Sequence, residues 1–221
     1  MRINLMVGGS MDLVPLQTVQ ERQDEVWIGV DHGATWLIQH GIKPVAAIGD
    51  FDSTAADDFA TVQSTIPNIT KLPTVKDMTD TQAGVWLAVS EYHPDQIDIF
   101  GATGGRLDQL LANLYLPLQD RFKDYLPMIH FLDRQNIVSY YLPGKYTIYQ
   151  REGFKYLAFV NLTAVHNLNL IDEKYPLHNW SSSIPFSWSS NEFTAAENHF
   201  SFQEGIVAVI ISRDWPHQSA K

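Results

Sequence analysis

The sequence VWIGVDHGATWLIQHGIKPVAAIGDFDS, residues 26–53, decides the fold class. It contains an apolar run at Val26–Val30, a segment with helical spacing at Thr35–His40, and a second apolar run at Val45–Ile48. Strands that are apolar along their whole length and alternate with helices are typical of a parallel sheet covered on both faces. This stretch therefore predicts a strand–helix–strand unit of an α/β sheet.

The same alternation extends in both directions from this unit. Further strands are predicted at Ile3–Val7, Ile97–Phe100 and Met128–Leu132, and further helices at Thr79–Ser90 and Leu107–Leu118. We predict that residues 1–133 form a Rossmann-like α/β nucleotide-binding catalytic domain with a mostly parallel sheet. In such sheets, ligands bind beyond the carboxyl ends of the strands.

From about residue 134 the rhythm changes to short strands separated by turn residues. Strands are predicted at Ile137–Leu142, Tyr146–Gln150, Lys155–Leu162, Asn167–Ile171 and Phe200–Ser212. This pattern predicts an antiparallel β-sandwich domain at residues 134–221. Residues 172–193, in which prolines and tryptophans lie near serine clusters, are interpreted as a long ordered loop.

The composition excludes several kinds of function. The chain has 221 residues, of which 45% are hydrophobic and 18% charged, as in a globular protein. It has no cysteine, which rules out disulfides, zinc thiolates and thiol nucleophiles. The formal charge is −10 and there is no basic stripe, which argues against nucleic-acid binding. No apolar segment approaches the ~20 residues that cross a bilayer, and the N-terminus is typical of a strand rather than a signal peptide, so we expect a soluble cytoplasmic protein without membrane partners.

Two acidic motifs follow predicted strands directly. In the first, DHGA at residues 31–34, Asp31 either meets a ligand or caps the next helix, and capping is the favoured interpretation of this motif alone. In the second, GDFDS at residues 49–53, Asp50 and Asp52 point to one side if the backbone stays extended. A divalent cation would relieve the repulsion between them, whereas an Asx turn is the structural alternative.

Two further motifs lie at the start of predicted helices. In KDMTD, residues 76–80, Asp77 and Asp80 have the spacing of a helix cap with an acid at the third helical position, but Lys76 could equally bind phosphate and the acids metal. In GATGGRLD, residues 101–108, glycines precede a helix whose leucines share one face. Backbone N–H groups at such a turn can hold phosphate, and Arg106 could fork onto it. A glycine turn without a ligand is the alternative.

All four motifs end at the same edge of the predicted sheet. Four separate helix caps that are all aspartates are less expected than one shared site. The residues themselves therefore predict an acidic, metal-dependent site for a phosphorylated ligand, and do not identify the substrate.

At these motifs the sequence resembles the thiamine pyrophosphokinase family. DHGA, GDFDS, KDMTD and GGRLD occur in the family's order and spacing, and KYPL at residues 174–177 and SNEF at residues 190–193 extend the resemblance into the second half. The family commonly has a second glycine where this chain has His32. Its Gly-Leu-Lys-Trp/Tyr approach to the Pro-Leu motif is replaced here by residues 171–174, IDEK.

The resemblance implies a function and a set of site residues. It implies transfer of pyrophosphate from ATP to the hydroxyl of thiamine, with Mg²⁺, in a homodimer whose active sites lie at the subunit interface. The catalytic residues implied are Asp50, Asp52, Asp77, Asp80 and Asp108, of which the first four would bind the metal. Nucleotide contacts are expected from Asp31, Thr79, Gly104, Gly105 and Arg106, and thiamine contacts from Trp188, Ser190 and Asn191.

Two other functions compete with this one. The first is a metal-dependent phosphohydrolase, or a different nucleotide-dependent transferase, built on the same acidic edge. The second is a non-catalytic sensor of nucleotide or thiamine. The complete set of aspartates argues against a sensor, because a sensor has no need of a full metal site.

Overall fold

The computed structural model describes residues 1–52, 54–73 and 77–215. The chain divides into two compact units, Met1–Arg134 and Gln135–Lys221. Each unit is described separately below.

The N-terminal unit is built on six parallel strands. They are β1 (Arg2–Met6), β2 (Val26–Val30), β3 (Ala46–Gly49), β4 (Asn68–Lys71), β5 (Gln96–Phe100) and β6 (Ile129–Leu132). Their order across the sheet is β6-β5-β1-β2-β3-β4. The predicted parallel sheet is thus confirmed. Because the chain proceeds in one direction from β1 to β4 and then returns to the other side of β1, the topological switch point lies between β1 and β5.

Five α-helices connect these strands. They are α1 (Leu16–Glu21), α2 (His32–Gln39), α3 (Ala56–Thr65), α4 (Asp80–Leu87) and α5 (Leu107–Tyr115). A π-helical turn at Ala88–Tyr92 continues α4, and 3-10 turns lie at Met11–Leu13, Leu116–Leu118 and Lys123–Met128. Helices α1 and α3 and strand β4 were not predicted from the sequence.

The core of this unit lies on the two central strands. Ile3 and Leu5 of β1 and Ile97 and Ile99 of β5 are completely buried. Full burial of one such side chain stabilises the fold by about 1.5–3 kcal/mol. Strands β1 and β5 therefore form a rigid base for the loops that follow their carboxyl ends.

Part of the leucine face of α5 is exposed, while Leu110 and Leu114 on that face are half-buried. Leu107 and Leu111 are 67% and 41% exposed, and Tyr115 is 50% exposed. These three residues are spaced four apart and form one stripe on the helix surface. We call this the α5 stripe.

The C-terminal unit contains eight antiparallel strands. They are β7 (Asn136–Tyr141), β8 (Gly144–Tyr149), β9 (Tyr156–Asn161), β10 (Val165–Leu170), β11 (Leu177–Ser182), β12 (Phe186–Glu192), β13 (Glu197–Phe202) and β14 (Val207–Ser212). They pair in the orders β12-β9-β14-β7 and β11-β10-β13-β8. Buried side chains from both sets, including Phe159, Leu168 and Phe200, form one core cluster. The predicted β-sandwich is confirmed.

Two predictions for this unit were wrong. Residues 172–193, interpreted as a loop, contain strands β11 and β12. Both strands lie at sheet edges and carry many exposed serines and other polar residues, so the apolar alternation that marks a strand is weak in the sequence. The single strand predicted at Phe200–Ser212 is two strands, with Gly205 at φ 98° between them. A Cβ at Gly205 would lie 2.1 Å from the carbonyl oxygen of Ala164, so only glycine fits this turn.

Among the residues that the structure describes, no helix has the length and apolar character that crossing a membrane requires.

Candidate active site

Two glycine-containing loops meet at the switch point of the sheet. The first follows β1 and contains Gly8 and Gly9, and the second follows β5 and contains Gly101. The Val7 N–H donates to the Phe100 carbonyl at 2.9 Å, and the Gly9 N–H donates to the Gly101 carbonyl at 2.9 Å. A Cβ on Gly9 would lie 2.1 Å from the Gly101 oxygen, so the close approach of the loops requires glycine there.

These loops open onto a cavity of about 570 Å³. This volume is within the range of small-molecule sites, about 300–1,000 Å³. Three acidic side chains line the cavity, Asp31, Asp50 and Asp80. The other lining residues are Val7, Gly8, Gly9, Ser10, Val30, His32, Met78, Thr79, Thr81, Gly101, Ala102, Gly104, Gly105, Arg106, Gln109 and Asn113.

Asp31 stands at the N-cap position of α2 but does not cap the helix. Its φ is 48°, and its side chain makes no capping hydrogen bond. Instead, its carboxylate accepts a hydrogen bond from the Phe51 N–H at 3.2 Å. The capping interpretation was therefore wrong. A Cβ on Gly49 would lie 1.8 Å from Asp31 Oδ1, so the glycine makes room for this carboxylate.

Asp50 and Asp52 are separated by a turn rather than by extended backbone. Phe51 has φ 55°, and the Asp52 N–H donates to Asp50 Oδ1 at 3.2 Å, which is the Asx-turn alternative. The extended backbone that would direct both carboxylates to one side is thus absent from this motif. Asp50 lines the cavity, whereas Asp52 is exposed outside it. Ser53 lies outside the described residues.

Thr79 rather than Asp77 caps α4. The Thr79 hydroxyl accepts from the Gln82 N–H at 3.2 Å, and the Thr79 N–H donates to the Gln82 side chain at 3.0 Å. This capping box places Asp80 at the first helical position, so the predicted cap at Asp77 was wrong. Asp77 is exposed and lies 3.5 Å from the Arg121 guanidinium. Lys76 lies outside the described residues.

Arg106 and Asp108 form a two-pronged ion pair at the start of α5. The Arg106 Nε and Nη2 donate to the two Asp108 oxygens at 3.1 and 2.5 Å. The hydrogen bond from Arg106 lowers the pKa of the Asp108 carboxyl below its ordinary value, and the same bond raises the pKa of Arg106. Both side chains are largely exposed, so this pair adds little to stability. Arg106 lines the cavity, and Asp108 does not.

The structure thus brings part of the predicted acidic set together. Asp31, Asp50 and Asp80 share the cavity, while Asp52, Asp77 and Asp108 lie outside it. Within the described ranges, no group of three His, Asp or Glu residues is arranged to hold a metal ion unaided. Mg²⁺ commonly takes one or two carboxylates and completes its shell with water and substrate phosphates. The donor set of this cavity therefore fits Mg²⁺ bound together with a phosphorylated ligand.

Several lining residues were missed by the sequence reasoning. Ser10, Thr81, Gln109 and Asn113 line the cavity with the two glycines that follow β1. The signal that could have found this loop is a pair of glycines directly after the first buried strand. Asn113 also bonds the Ala102 carbonyl at 2.9 Å, which ties α5 to the loop after β5.

The predicted thiamine residues all lie on β12 of the C-terminal unit. Trp188 is half-buried, with its ring centroid 5.3 Å from that of Trp180 and 4.9 Å from that of Phe186. Ser190 is exposed and has φ 59°, within a register shift between Trp188 and Asn191. The Asn191 side chain is buried and bonds both backbone groups of Tyr175 at 2.9 Å.

The fold and the cavity together define a class of protein. It is a two-unit protein in which an α/β unit carries a glycine-lined acidic cavity suited to phosphate groups, and a β-sandwich follows.

Comparisons with known proteins identify the family within this class. Residues 19–128 match the family model described as thiamin pyrophosphokinase, catalytic domain, and residues 145–207 match thiamin pyrophosphokinase, vitamin B1 binding domain. A thiamine pyrophosphokinase of Bacillus subtilis is 36% identical over 214 residues, which cover 96% of this chain and 99% of the relative.

Solved structures agree with this assignment. A thiamin pyrophosphokinase family protein from Enterococcus faecalis matches with a TM-score of 0.91 and 38% identity, covering 97% of this chain and 100% of that chain. A thiamin pyrophosphokinase from Geobacillus thermodenitrificans matches with a TM-score of 0.84 and 35% identity, covering 98% and 99%. The chain belongs to the thiamine pyrophosphokinase family, and it is a pyrophosphotransferase.

Proposed function

We propose that this enzyme transfers the pyrophosphoryl group of ATP to the hydroxyl of thiamine, with Mg²⁺, and releases thiamine diphosphate and AMP. The observation that carries the proposal is the cavity at the switch point, where two glycine loops and three carboxylates meet in a chain of this family. The phosphates of ATP require both features, because they need N–H donors and a divalent cation. We place the reaction in the cytoplasm, where ATP is available.

The glycine loop after β5 is the proposed phosphate cradle. Gly104 and Gly105 have φ values of 73° and 65°, a conformation that glycine adopts without steric cost. Their N–H groups precede the N-terminus of α5, where the helix dipole favours an anion. The Arg106 guanidinium would leave Asp108 and pair with a phosphate instead. Thr79 and Asp31 complete the nucleotide contacts.

Asp50 and Asp80 are the proposed Mg²⁺ ligands within the cavity. Asp52 and Asp77 remain in the proposed set, although both are exposed outside the cavity. When bound, Mg²⁺ would neutralise charge on the phosphates and so stabilise the transition state.

The remaining chemistry is positioning and proton transfer. The thiamine hydroxyl attacks the β-phosphorus of ATP. The bond between the β-phosphorus and the oxygen that bridges it to the α-phosphate breaks, and AMP leaves with that oxygen. Holding the hydroxyl in line with the leaving oxygen lowers the barrier because the reaction becomes effectively unimolecular. We propose that one of the five catalytic aspartates, Asp50, Asp52, Asp77, Asp80 or Asp108, accepts the hydroxyl proton.

The thiamine site is proposed to involve β12. Thiamine carries a positive thiazolium ring, which aromatic faces and acidic surroundings attract. The aromatic group around Trp188 offers such faces, with Ser190 and Asn191 next to it along the strand. We propose a homodimer in which the second copy supplies these residues to the active site. The exposed α5 stripe supports association of two copies, because large exposed apolar groups favour contact.

An omission assay tests the proposed reaction. AMP is measured with ATP, Mg²⁺ and thiamine present, and again with each one left out. We expect AMP only in the complete mixture. Release of ADP or inorganic phosphate without thiamine would instead favour a phosphohydrolase, and binding of both substrates without any turnover would favour a sensor.

A further inference from the structure

Glu173 is a buried carboxylic acid in the segment that links β10 to β11. The residue is 4% exposed, and its Oε2 accepts a hydrogen bond from the Asp172 N–H at 3.2 Å. Its other oxygen, Oε1, is buried and accepts no hydrogen bond from any residue that the structure describes. An ionised carboxylate in such surroundings is unfavourable, because burial shields that oxygen from bulk solvent and no donor within the described part of the chain reaches it.

The cations near Glu173 are already paired with other acids. His199 of β13 contacts the Asp172 carboxylate at 2.6 Å, with Glu197 on the same strand. Lys174 lies 2.8 Å from Glu192 of β12, which also contacts Lys155 at 3.4 Å. Burial raises the pKa of the Glu173 carboxyl to about 7, and the negative charge of Asp172 acts in the same direction.

Backbone contacts tie the segment around Glu173 to two other strands. On one side, the Asp172 carbonyl accepts hydrogen bonds from the side chains of Thr194 and Asn198, each at 2.5 Å. On the other side, the Lys174 N–H donates to the Glu192 carbonyl at 3.2 Å. Tyr175 follows and is held by both ends of the Asn191 amide at 2.9 Å. A displacement of Glu173 would therefore be transmitted to Asn191 and its neighbour Ser190.

We infer that neutral Glu173 is a positioning residue that keeps Tyr175 paired with Asn191, and so holds Ser190 and Asn191 in place for thiamine. This inference rests on the proposed function, in which those two residues contact thiamine. Loss of the proton leaves a buried charge without a partner. Outward movement of the segment relieves that charge and breaks the Tyr175–Asn191 pair.

The direction of the pH effect follows from the raised pKa. The folded protein retains the Glu173 proton up to about pH 7, whereas the unfolded chain releases it near the ordinary value of 4.5. Stability from the neutral acid is therefore complete below about pH 4.5 and is lost as the pH rises through about 7. Affinity for thiamine should fall over the same upper range, because the fraction of molecules with an intact segment falls.

The test compares wild type, Glu173→Gln and Glu173→Leu at about pH 6 and about pH 8.5. In the wild type we expect the KM for thiamine to rise about fivefold at the higher pH, with the KM for ATP unchanged. Both variants should lose this pH dependence, because neither side chain ionises. Glu152→Gln removes an exposed carboxylate outside the segment and should keep the wild-type profile. The leucine variant serves if the glutamine variant does not fold.

A second measurement separates this inference from the proposed function. The unfolding temperature of the wild type should fall relative to both Glu173 variants between about pH 5 and about pH 8. If thiamine is not turned over at any pH, the proposed function fails while this comparison still tests Glu173. If the variants keep the wild-type dependence in both measurements, a group other than Glu173 titrates and the inference is overturned.

Discussion

At the scale of single residues, Asp50 and Asp52 differ in position although they are two residues apart. Asp50 lines the cavity and accepts a hydrogen bond from the Asp52 N–H at 3.2 Å. We predict that Asp50→Asn lowers kcat by at least about a hundredfold, because a metal-holding charge is lost at the phosphates. The amide oxygen of Asn can still accept the hydrogen bond, so the unfolding temperature should change little. Steady-state rates and thermal unfolding measure the two effects.

Two further variants make this prediction specific. Asp57→Asn removes an exposed charge from the first turn of α3 and should leave kcat unchanged. Asp52→Asn should also keep the fold and lose nearly all turnover if Asp52 binds the metal as proposed. Near-normal activity of that variant would remove Asp52 from the proposed ligands, and near-normal activity of Asp50→Asn would contradict the metal assignment as a whole.

Gly8 and Gly9 are adjacent in the sequence but differ in the space that a side chain would find at each position. A Cβ at Gly9 would lie 2.1 Å from the Gly101 oxygen, whereas a Cβ at Gly8 would lie 3.4 Å from the His32 Cβ, an ordinary contact. We predict that Gly9→Ala lowers the free energy of unfolding by about 1–3 kcal/mol, since the two loops must separate. Gly8→Ala, the matched control, should change it by less than about 0.5 kcal/mol. Denaturant unfolding of both variants decides the matter, and equal stabilities would show that the loops separate without cost.

At the scale of elements, the capping box of α4 sets the position of Asp80. The Thr79 hydroxyl and the Gln82 side chain satisfy each other's backbone N–H groups. We predict that Thr79→Ala costs about 1 kcal/mol of stability, because one N–H at the helix N-terminus loses its partner. It should also lower kcat, because the capping box sets the position of Asp80, the next residue and a proposed Mg²⁺ ligand. Thr79→Ser keeps the hydroxyl and should restore the stability in chemical denaturation, and a serine variant as unstable as the alanine variant would contradict this role.

The sequence predicts some elements of this fold better than others. Strand β2 was predicted at its observed bounds, Val26–Val30, because a strand buried on both faces is apolar at every position. Strand β4 lies at the edge of the sheet with mostly exposed residues, and α3 buries only Val62. Such elements carry a weak apolar pattern. Strands β11 and β12 were missed for the same reason.

For the candidate site too, some features could be predicted from the sequence and others could not. The position of the motifs at the carboxyl edge follows from the order of strands and helices, and so could be predicted. The direction of each carboxylate depends on local backbone angles, such as φ 48° at Asp31 and φ 55° at Phe51. Composition and spacing do not specify these angles. The pairing of Arg106 with Asp108 was likewise not visible in the sequence.

At the scale of the whole molecule, the proposed homodimer has a direct test. Leu107 and Leu111 of the α5 stripe are exposed, and burying them against a second copy would favour association. We predict that the wild type sediments at twice the chain mass. The double variant Leu107→Glu and Leu111→Glu should shift it towards the monomer, because two charges would be buried at the contact. Asp24→Lys, which changes a charge at an exposed site, should remain dimeric.

Two outcomes would contradict the prediction. A wild type that sediments as a monomer at all concentrations would remove the homodimer from the proposal. A dimeric double variant would leave the dimer in place and exclude the α5 stripe as its contact.

The central position of β1 also has a consequence for biosynthesis. Arg2 lies beside Gln96 in the sheet, so β1 leaves the ribosome well before β5 and must wait for it before both of its neighbours are present. Pairings between such distant segments form slowly. During that interval, nascent chains expose the unpaired edge of an apolar strand, where a chaperone would bind and where aggregation would begin.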